Sequence, residues 1–588
     1  MWTYIPSGQT TGNYNEFCFS QTTPQAQNRQ LKVQLQDCSY AENDAGILLL
    51  SGRVRPYGQD YSTTTDIHWL LLLLQQQPEQ YYGRIAGFFS AVYLCKHKGD
   101  IRIFNDHVGA VPLYADWHQA DLWWIGSSLR QAPQQQLSAQ AIYHYFFYHC
   151  IPSELSVYQN VQKLAPGTEL CLSPKGQSTF VLRYNPNYQY SNQTTTQLQQ
   201  QCRVLVEQAV QRNISANAGA FLSGGLDSST VSGYFARHQP EARTFSIGFD
   251  AKGYDETEYA LITAKHFATR HQVHYLQPEE IVQNFVTVAT AFEEPFGNSS
   301  AMAAFICAGV AKQQGVEVML AGDGGDEIFA GNERYAKQKT FELYTKVPKA
   351  LKCPLELLLQ SSVGKIPGFS KARSYIDQAN VPLPDRLDSY NFLNRFDPQE
   401  MFCSEFLQQV DMQQPAAAKR QRYQQCQSTD PVERMMFLDW KFTLADNDLV
   451  KVNTMCHSAG VQVRYPLFEK ELVDFSCTVP AAVKLPGKAL RDFYKQSFSG
   501  FLPEATITKS KHGFGLPFGV WMKQQPALQQ LTEQCLSRLK QRGIVKAEFI
   551  DKAIQTYQSG HAGYYGELIW IMVVLDLWLD SRGFDQLC

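Results

Sequence analysis

Residues 218–238 read AGAFLSGGLDSSTVSGYFARH, and this stretch decides the fold. A short apolar run ends at Leu222, and a helical pattern begins near Asp227, with Val231 and Phe235 on one face. The pattern predicts a buried strand that turns directly into a helix. The turn itself is Ser-Gly-Gly, which places small and flexible residues at the end of the strand.

The same alternation continues along the chain after this stretch. Apolar runs at 243–249, 272–276 and 316–322 predict further strands, and the segments 255–270 and 300–315 between them have helical spacing. Repeated strand–helix–strand units predict a parallel sheet covered by helices on both faces. Beyond about residue 340 the patterns are mainly helical.

The chain before this region has a β character. Short apolar or aromatic runs broken by Gly, Asn and Asp occur at 45–54, 84–94, 101–109 and 122–129. They predict sheets packed face to face or against a few helices. A polar, Gln-rich stretch at 185–201 indicates the boundary. The predicted fold class is therefore α/β, with an N-terminal antiparallel β-sandwich with helices at 1–190 and a parallel-sheet domain with added helices at 198–588.

Composition restricts the partners. The chain has 588 residues, a net charge of −3 and 44% apolar residues, so no overall basicity indicates nucleic acid or an anionic membrane. The N-terminus carries no signal pattern, and the longest apolar runs, at 69–75 and 568–579, are shorter than the roughly 18 residues that a membrane helix needs. Fourteen cysteines without a C-x-x-C pair indicate reduced thiols. We expect a cytoplasmic protein and leave open whether it is a homodimer.

The Ser-Gly-Gly turn has the character of an anion cradle. Glycines let backbone N–H groups approach a ligand, and a helix N-terminus at the carboxyl end of a strand favours phosphate. Without a lysine in the loop, a bound pyrophosphate needs a cation, and Asp227 could hold Mg²⁺. The alternative is a tight strand-to-helix turn with Ser or Asp caps. The candidate cradle residues are Ser223, Gly224, Gly225, Ser228 and Ser229.

A second loop repeats the arrangement. Residues 316–335 read VEVMLAGDGGDEIFAGNERY, so a strand again ends in a Gly-rich turn, here with Asp323, Asp326 and Glu327. Carboxylates beside a phosphate cradle would repel the phosphates unless they hold a metal or serve as a base. The alternative for this loop is a solvated acidic turn.

The loops LSGGLDSS and AGDGGDEIFAG resemble the two signatures of the asparagine synthetase family. Segments 449–480 and 488–521 extend the resemblance, which spans about 200–525 with the motifs in order. Before the linker, IAGFFSAVYL, NDHVGAVPLY, GSSLRQA and LAPGTEL resemble the glutaminase domain of that family. The resemblance implies an Ntn-hydrolase-like N-terminal domain and a PP-loop ATP pyrophosphatase domain. It also implies an AMP-forming, ATP-dependent carbon–nitrogen ligase.

The resemblance also assigns residues to roles. Asp323 should lie near the reacting amine, Lys511 should face the acyl-adenylate, and Asp227 and Asp326 should bind Mg²⁺. In the mechanism that follows, Asp323 takes a proton from the amine, and Asp448 is a weaker candidate partner in this step. The adenine and ribose of ATP should contact Leu222, Ile247, Ala321 and Gly322. The pyrophosphate should be held by Ser223, Gly224, Gly225, Asp227, Ser228 and Ser229.

The N-terminal half departs from the family pattern. The family nucleophile is a cysteine at the mature N-terminus, whereas this chain has Met1 and Trp2, and its first cysteine is Cys18. The usual Asn-Gly-Glu segment is Ser-Gly-Arg at 51–53, and only Asp106 remains of the usual glutamine-binding set. Because a thiolate is the whole nucleophile of that chemistry, we expect no glutamine hydrolysis.

The acyl substrate and the amine stay open. Gln462, Asn453 and Thr454 replace a Glu and an Asp-Arg pair that are usual in the part of the family pattern that should see the acyl substrate, which leaves open whether the substrate is aspartate. The amine could be ammonia, an amine within the substrate, as in relatives similar to β-lactam synthetase and lasso-peptide cyclase, or an amine of a separate molecule. A non-catalytic ATP-binding scaffold and a tRNA-modifying ATP pyrophosphatase are the alternatives of other classes.

Overall fold

The structure is a computed structural model, and it describes most of the chain. The described residues are 2–5, 14–21, 29–61, 67–119, 122–249, 255–345, 347–360, 369–391, 393, 396–510, 518–559 and 562–586.

Two six-stranded sheets form the N-terminal part. One has the order β1-β2-β3-β9-β8-β10 and the other β12-β11-β7-β6-β5-β4. The predicted antiparallel sheets are confirmed: all the described pairs are antiparallel except β3 with β9, which is parallel. The strands are β1 Trp2–Ile5, β2 Tyr14–Gln21, β3 Arg29–Gln36, β4 Cys38–Glu42, β5 Gly46–Pro56, β6 Ile85–Cys95, β7 Ile101–Asn105, β8 Tyr114–Asp116, β9 Leu122–Gly126, β10 Gln162–Lys163, β11 Thr168–Leu172 and β12 Ser178–Leu182.

The two sheets pack face to face, as the alternation of β5 shows. Ile47 and Leu49 lie in the core between the sheets, together with Leu31 and Val33 of β3. Leu48 and Leu50 point to the opposite face and belong to a different hydrophobic core. Successive side chains of a strand point to opposite faces, so one apolar run serves two packing layers.

A five-stranded parallel sheet organises the rest of the chain. Its order is β15-β14-β13-β16-β17, and every neighbouring pair is parallel, as predicted. The strands are β13 Ala218–Phe221, β14 Arg243–Phe249, β15 Arg270–Leu276, β16 Val318–Leu320 and β17 Gln462–Arg464. The last of them lies in a region whose sequence pattern is helical.

Helices cover the sheets and fill the C-terminal part. The long apolar run predicted as a core element lies in the last helix, where 568–579 is buried throughout. None of the helices in the described part of the chain is long and apolar enough to cross a membrane. The helices are α1 Ile67–Gln76, α2 Ala139–Tyr148, α3 Thr195–Asn213, α4 Leu226–His238, α5 Thr257–Phe267, α6 Pro278–Ala291, α7 Ala301–Gln313, α8 Gly325–Phe329, α9 Glu333–Thr345, α10 Lys349–Gln360, α11 Phe369–Asn380, α12 Pro398–Met401, α13 Ser404–Leu407, α14 Gln414–Gln425, α15 Pro431–Asp439, a π-helix Trp440–Asp448, α16 Leu449–Ser458, α17 Lys470–Thr478, α18 Ala481–Lys484, α19 Asp492–Ser497, α20 Glu504–Thr508, α21 Phe518–Gln524, α22 Pro526–Leu539, α23 Ala547–Gln558 and α24 Ala562–Ser581.

Buried charges join the N-terminal sheets to the start of α17. The side chain of Arg55, on β5, is fully buried, forms an ion pair with Glu469 and donates to Glu471 at 2.6 Å. Lys470 donates to the backbone oxygen of Tyr82 at 2.8 Å. These ionic contacts hold α17, which follows the parallel sheet, against the antiparallel sheets.

Candidate functional site

A cleft of about 740 Å³ opens at the carboxyl ends of the parallel strands. Both Gly-rich loops line it, because β13 and β16, which precede the loops, are hydrogen-bonded neighbours in the sheet. The predicted residues in its lining are Leu222, Ser223, Gly225, Asp227, Ser228, Ile247, Gly322, Asp323, Asp326 and Asp448. Gly224, Ser229 and Ala321 are absent from this lining, although each belongs to a loop or strand end beside it.

The first loop is shaped by close packing and by its own hydroxyl groups. Gly224 has φ of +71°, and a Cβ there would lie 2.5 Å from the backbone nitrogen of Ala260, at the start of α5. The hydroxyl of Ser228 accepts from the backbone N–H of Ser223 at 3.2 Å and lies 3.0 Å from its hydroxyl. The loop is thus a compact turn whose backbone and hydroxyls face the cleft at the start of α4.

Ser229 has a different place from the one the sequence predicts. Its side chain is fully buried, and its hydroxyl is 3.1 Å from that of Thr263 on α5. In this structure its hydroxyl fixes α4 to α5 behind the loop. The two loops also touch, since a Cβ at Gly322 would lie 2.6 Å from the backbone nitrogen of Ser228.

Asp227 and Asp326 converge on one point. The Arg491 Nη1 atom donates to Asp227 Oδ2 and to Asp326 Oδ1, both at 2.7 Å. Carboxylate oxygens that meet at a single cation suit Mg²⁺, which takes one or two protein carboxylates and completes its shell with phosphate and water oxygens. Among the residues that the structure describes, no group of three or more His, Cys, Asp or Glu side chains could hold a metal ion. Two carboxylates would leave most of the coordination shell of Mg²⁺ to other oxygen ligands.

Asp323 is an acidic residue of the cleft whose pKa lies above its ordinary value. Burial raises the pKa of its carboxyl to about 6, Lys451 opposes this shift and Asp448 adds to it. Lys451 donates to Asp448 Oδ1 at 2.7 Å, and both side chains line the cleft. The three groups form a charged cluster on one wall of the cleft, with Asp323 in the second loop, Asp448 at the end of the π-helix and Lys451 in α16.

The motifs in the sequence did not predict the basic side chains that line the cleft. Within the described residues, five basic side chains belong to its lining, namely Lys451, Lys488, Arg491, Lys495 and Lys509. The sequence does contain a cluster of basic residues that could have indicated them, because KALRDFYK at 488–495 places three of these five side chains within eight residues. Lys511, the basic residue that was predicted, lies outside the described residues, as does most of its Gly-rich loop.

The three substitutions predicted to face the acyl substrate do not line the cleft. Asn453 donates to the backbone oxygen of Ala110 at 2.8 Å, and it borders, with Thr454, a separate cavity of about 80 Å³ against the N-terminal sheets. Gln462 is exposed at the start of β17. The prediction that these positions face the cleft is therefore wrong, and they carry no argument about aspartate as the substrate.

The residues singled out in the N-terminal half have structural contacts. The Asp106 carboxylate is buried and accepts from the backbone N–H groups of Phe89 at 2.9 Å and Val108 at 2.8 Å. Cys18 lies within β2, in register with Ile5 of β1.

Fold and site define an α/β protein with a cleft between two Gly-rich loops at the carboxyl edge of a parallel sheet, the position at which open α/β sheets bind ligands. Residues 201–580 match the asparagine synthase family, and residues 50–184 match a glutamine amidotransferase domain. The chain belongs to the asparagine synthase family, and it is an ATP-dependent ligase that forms amides.

Curated relatives carry the same family name over most of the chain. The Bacillus subtilis protein named asparagine synthetase [glutamine-hydrolyzing] 1 is 21% identical over 528 residues, which cover 89% of this chain and 82% of the relative. A Mycobacterium tuberculosis protein named putative asparagine synthetase [glutamine-hydrolyzing] is 23% identical and covers 75% of this chain and 67% of its own.

Proposed function

We propose that the protein activates a carboxylate with ATP as an acyl-adenylate, releases pyrophosphate and joins the acyl group to ammonia or an amine. One observation carries the proposal: the two loops of neighbouring strands bring Asp227 and Asp326 to one point, with Asp323 in the same cleft. We further propose that 1–190 is the glutaminase-like domain and 198–588 the ligase domain.

Different parts of the cleft are suited to different parts of the ATP molecule. Apolar side chains of the lining, Leu222, Ile247, Ala303 and Ala304, are suited to the adenine. The backbone of 223–225 and the Ser228 hydroxyl are suited to the departing pyrophosphate, which the start of α4 also favours. Bound Mg²⁺, held by Asp227 and Asp326, would neutralise charge on the phosphates. Attack by the carboxylate on the α-phosphorus then gives the acyl-adenylate and pyrophosphate.

The second half-reaction needs a base. Asp323 takes a proton from the attacking amine, and a pKa of about 6 leaves it ionised at pH 7 while keeping it a useful acceptor. Lys451 and Asp448 set its charge environment. Lys511 stabilises the oxyanion and the leaving AMP, a role that rests on the resemblance of its motif.

We propose that the N-terminal half does not supply ammonia from glutamine. Burial raises the pKa of the Cys38 and Cys171 thiols to about 12 each, so these strand cysteines are not thiolates at neutral pH. The Asp106 carboxylate is occupied by backbone N–H groups. Ammonia from solution or an amine of the substrate is then the acceptor, and an intramolecular amide cyclase is the second form of the proposal.

The experiment separates the two half-reactions. ATP–pyrophosphate exchange with aspartate and Mg²⁺ reports adenylation, and mass spectrometry with ¹⁵N-ammonium or ¹⁵N-amide glutamine reports the amide. We expect exchange and labelled asparagine from ammonium only. Labelled asparagine from glutamine would contradict the proposal that the N-terminal half does not supply ammonia from glutamine. ATP binding without exchange would favour the cyclase, tested next with peptides, or the scaffold.

Asp323→Asn tests the base. This variant should keep the exchange and lose amide formation by roughly 10²–10⁴-fold, the usual contribution of a positioned base. Asp446→Asn is the matched control, since Asp446 lies two residues from Asp448 but accepts from Ser153 at the separate cavity. Loss of exchange in Asp323→Asn, with Asp446→Asn unaffected, would place Asp323 in adenylation instead.

A further inference from the structure

Arg491 sits between the two carboxylates that the proposed function assigns to the metal. Its Nη1 atom is 2.7 Å from an oxygen of each, and Nη2 makes a second contact with Asp227. The residue is only 5% exposed, although it lines the cleft. The pair of carboxylates therefore already has a cation of the chain's own.

The second loop is shaped around this guanidinium. A Cβ at Gly325 would lie 2.9 Å from Arg491 Nη2, and a Cβ at Gly331 would lie 2.9 Å from its Cδ atom. From the other side, the guanidinium lies 4.4 Å from the centre of the Tyr494 ring. Arg491 itself has φ of 59°, a left-handed backbone that a non-glycine residue adopts only where its surroundings hold it.

One atom of the side chain remains unsatisfied. Nε of Arg491 is buried and, within the described part of the chain, has no hydrogen-bond partner. Among the described residues, Nε of Arg55 is unsatisfied as well, so the open donor does not by itself distinguish Arg491. What distinguishes Arg491 is its place in the cleft, where its two carboxylates and the Tyr494 ring hold the side chain.

We infer that Arg491 is a positioning residue that holds Asp227 and Asp326 together before the metal–nucleotide arrives, and that its guanidinium leaves this position when the metal binds. A divalent cation bound to the same two carboxylate oxygens would compete with Nη1, because two cations at one point repel each other. The inference rests on the proposed function. It means that metal binds well only together with ATP, whose phosphates supply the further ligands.

Mn²⁺ is the probe, because bound and free Mn²⁺ are distinguished by electron paramagnetic resonance without any turnover. We expect weak binding to the nucleotide-free protein, and binding at least about tenfold tighter in Arg491→Met, since a competing unit charge is gone. Arg491→Lys keeps a charge and should stay near the unmodified protein. Asp326→Asn added to Arg491→Met should abolish the gain.

Arg334→Met is the matched control. Arg334 also pairs with a buried carboxylate, that of Asp439, but it is not in the lining of the cleft, so its loss should leave Mn²⁺ binding unchanged. Equal Mn²⁺ affinity in Arg491→Met and the unmodified protein would overturn the inference. Pyrophosphate exchange by the unmodified protein is measured in the same preparation. If exchange occurs and the Mn²⁺ affinity of Arg491→Met is unchanged, only the role of Arg491 is refuted. Absence of exchange with aspartate instead counts against the proposed function in its aspartate form, whatever the Mn²⁺ affinity.

A second measurement applies if Arg491→Met does not fold. The Tm of the unmodified protein should stay constant with Mg²⁺ alone and rise with Mg²⁺ plus α,β-methylene-ATP, because only the combination displaces the guanidinium. An equal rise with Mg²⁺ alone would contradict the inference.

Discussion

Gly224→Ala tests the geometry of the first loop, because Gly224 is the residue whose backbone and surroundings both exclude a side chain. Its φ is +71°, and a Cβ would lie 2.5 Å from the Ala260 nitrogen and 2.6 Å from the Tyr259 carbonyl carbon. The left-handed conformation costs an alanine roughly 1–2 kcal/mol, and overpacking typically costs about 1–3 kcal/mol. We expect the free energy of unfolding to fall by about 2–5 kcal/mol in total.

Gly225→Ala is the matched control. Gly225 has φ of −76°, and a Cβ there would meet its nearest neighbour, the Ser223 hydroxyl, at 3.3 Å. Both substitutions remove the same freedom from the unfolded chain, which is worth about 0.4–1 kcal/mol. The difference between the variants therefore isolates the folded loop.

Urea unfolding of the full chain measures this difference as a shift of the midpoint at constant slope. Gly224→Ala should unfold at clearly lower urea than Gly225→Ala, and Gly225→Ala should differ from the unmodified protein by about 1 kcal/mol or less. Equal midpoints for the two variants would refute the reasoning, because the loop would then tolerate a side chain at both positions.

The remaining predictions concern charge. Amide formation should fall about tenfold per pH unit below pH 6 as Asp323 becomes protonated, because burial raises its pKa to about 6; a rate that is flat down to pH 5 would exclude it as the base. Lys451→Met removes the cation that opposes this shift, so the inflection should move to higher pH by about one unit; an unmoved inflection would show that the two groups do not interact. Arg55→Met leaves two buried glutamates without their cation and should lower the free energy of unfolding, measured by urea titration, by about 3–5 kcal/mol. An unchanged free energy of unfolding would show that water solvates this contact.

The parallel sheet was predictable because its strands carry their own signal. The apolar runs at 243–249 and 316–322 contain strands that the structure places at Arg243–Phe249 and Val318–Leu320. β17 was not predictable, because its three residues, Gln462–Arg464, are ordered by pairing with β16 and have no apolar run of their own. Pairing with a neighbour outweighs intrinsic preference in so short a strand.

The candidate site was predictable where it is local in sequence. Each Gly-rich loop is one continuous motif, and the two loops meet because their strands are neighbours. Arg491 was not predictable as their partner, since it lies 264 positions from Asp227 and only the fold brings them together. The corrections of Ser229 and Asn453 have a similar cause, because burial and helix packing decide which way a loop or helix residue points.

The ion pairs of Arg55 also bear on how this chain could change over evolutionary time. Deleting the N-terminal sheets would remove the cation of Glu469 and expose the apolar core that both halves share, and deleting α17 would remove the partner of Arg55 and its side of that core. Each half therefore covers apolar surface of the other, independently of any chemistry it performs. A half that loses its catalytic task would therefore still be retained, because its removal would destabilise the other half.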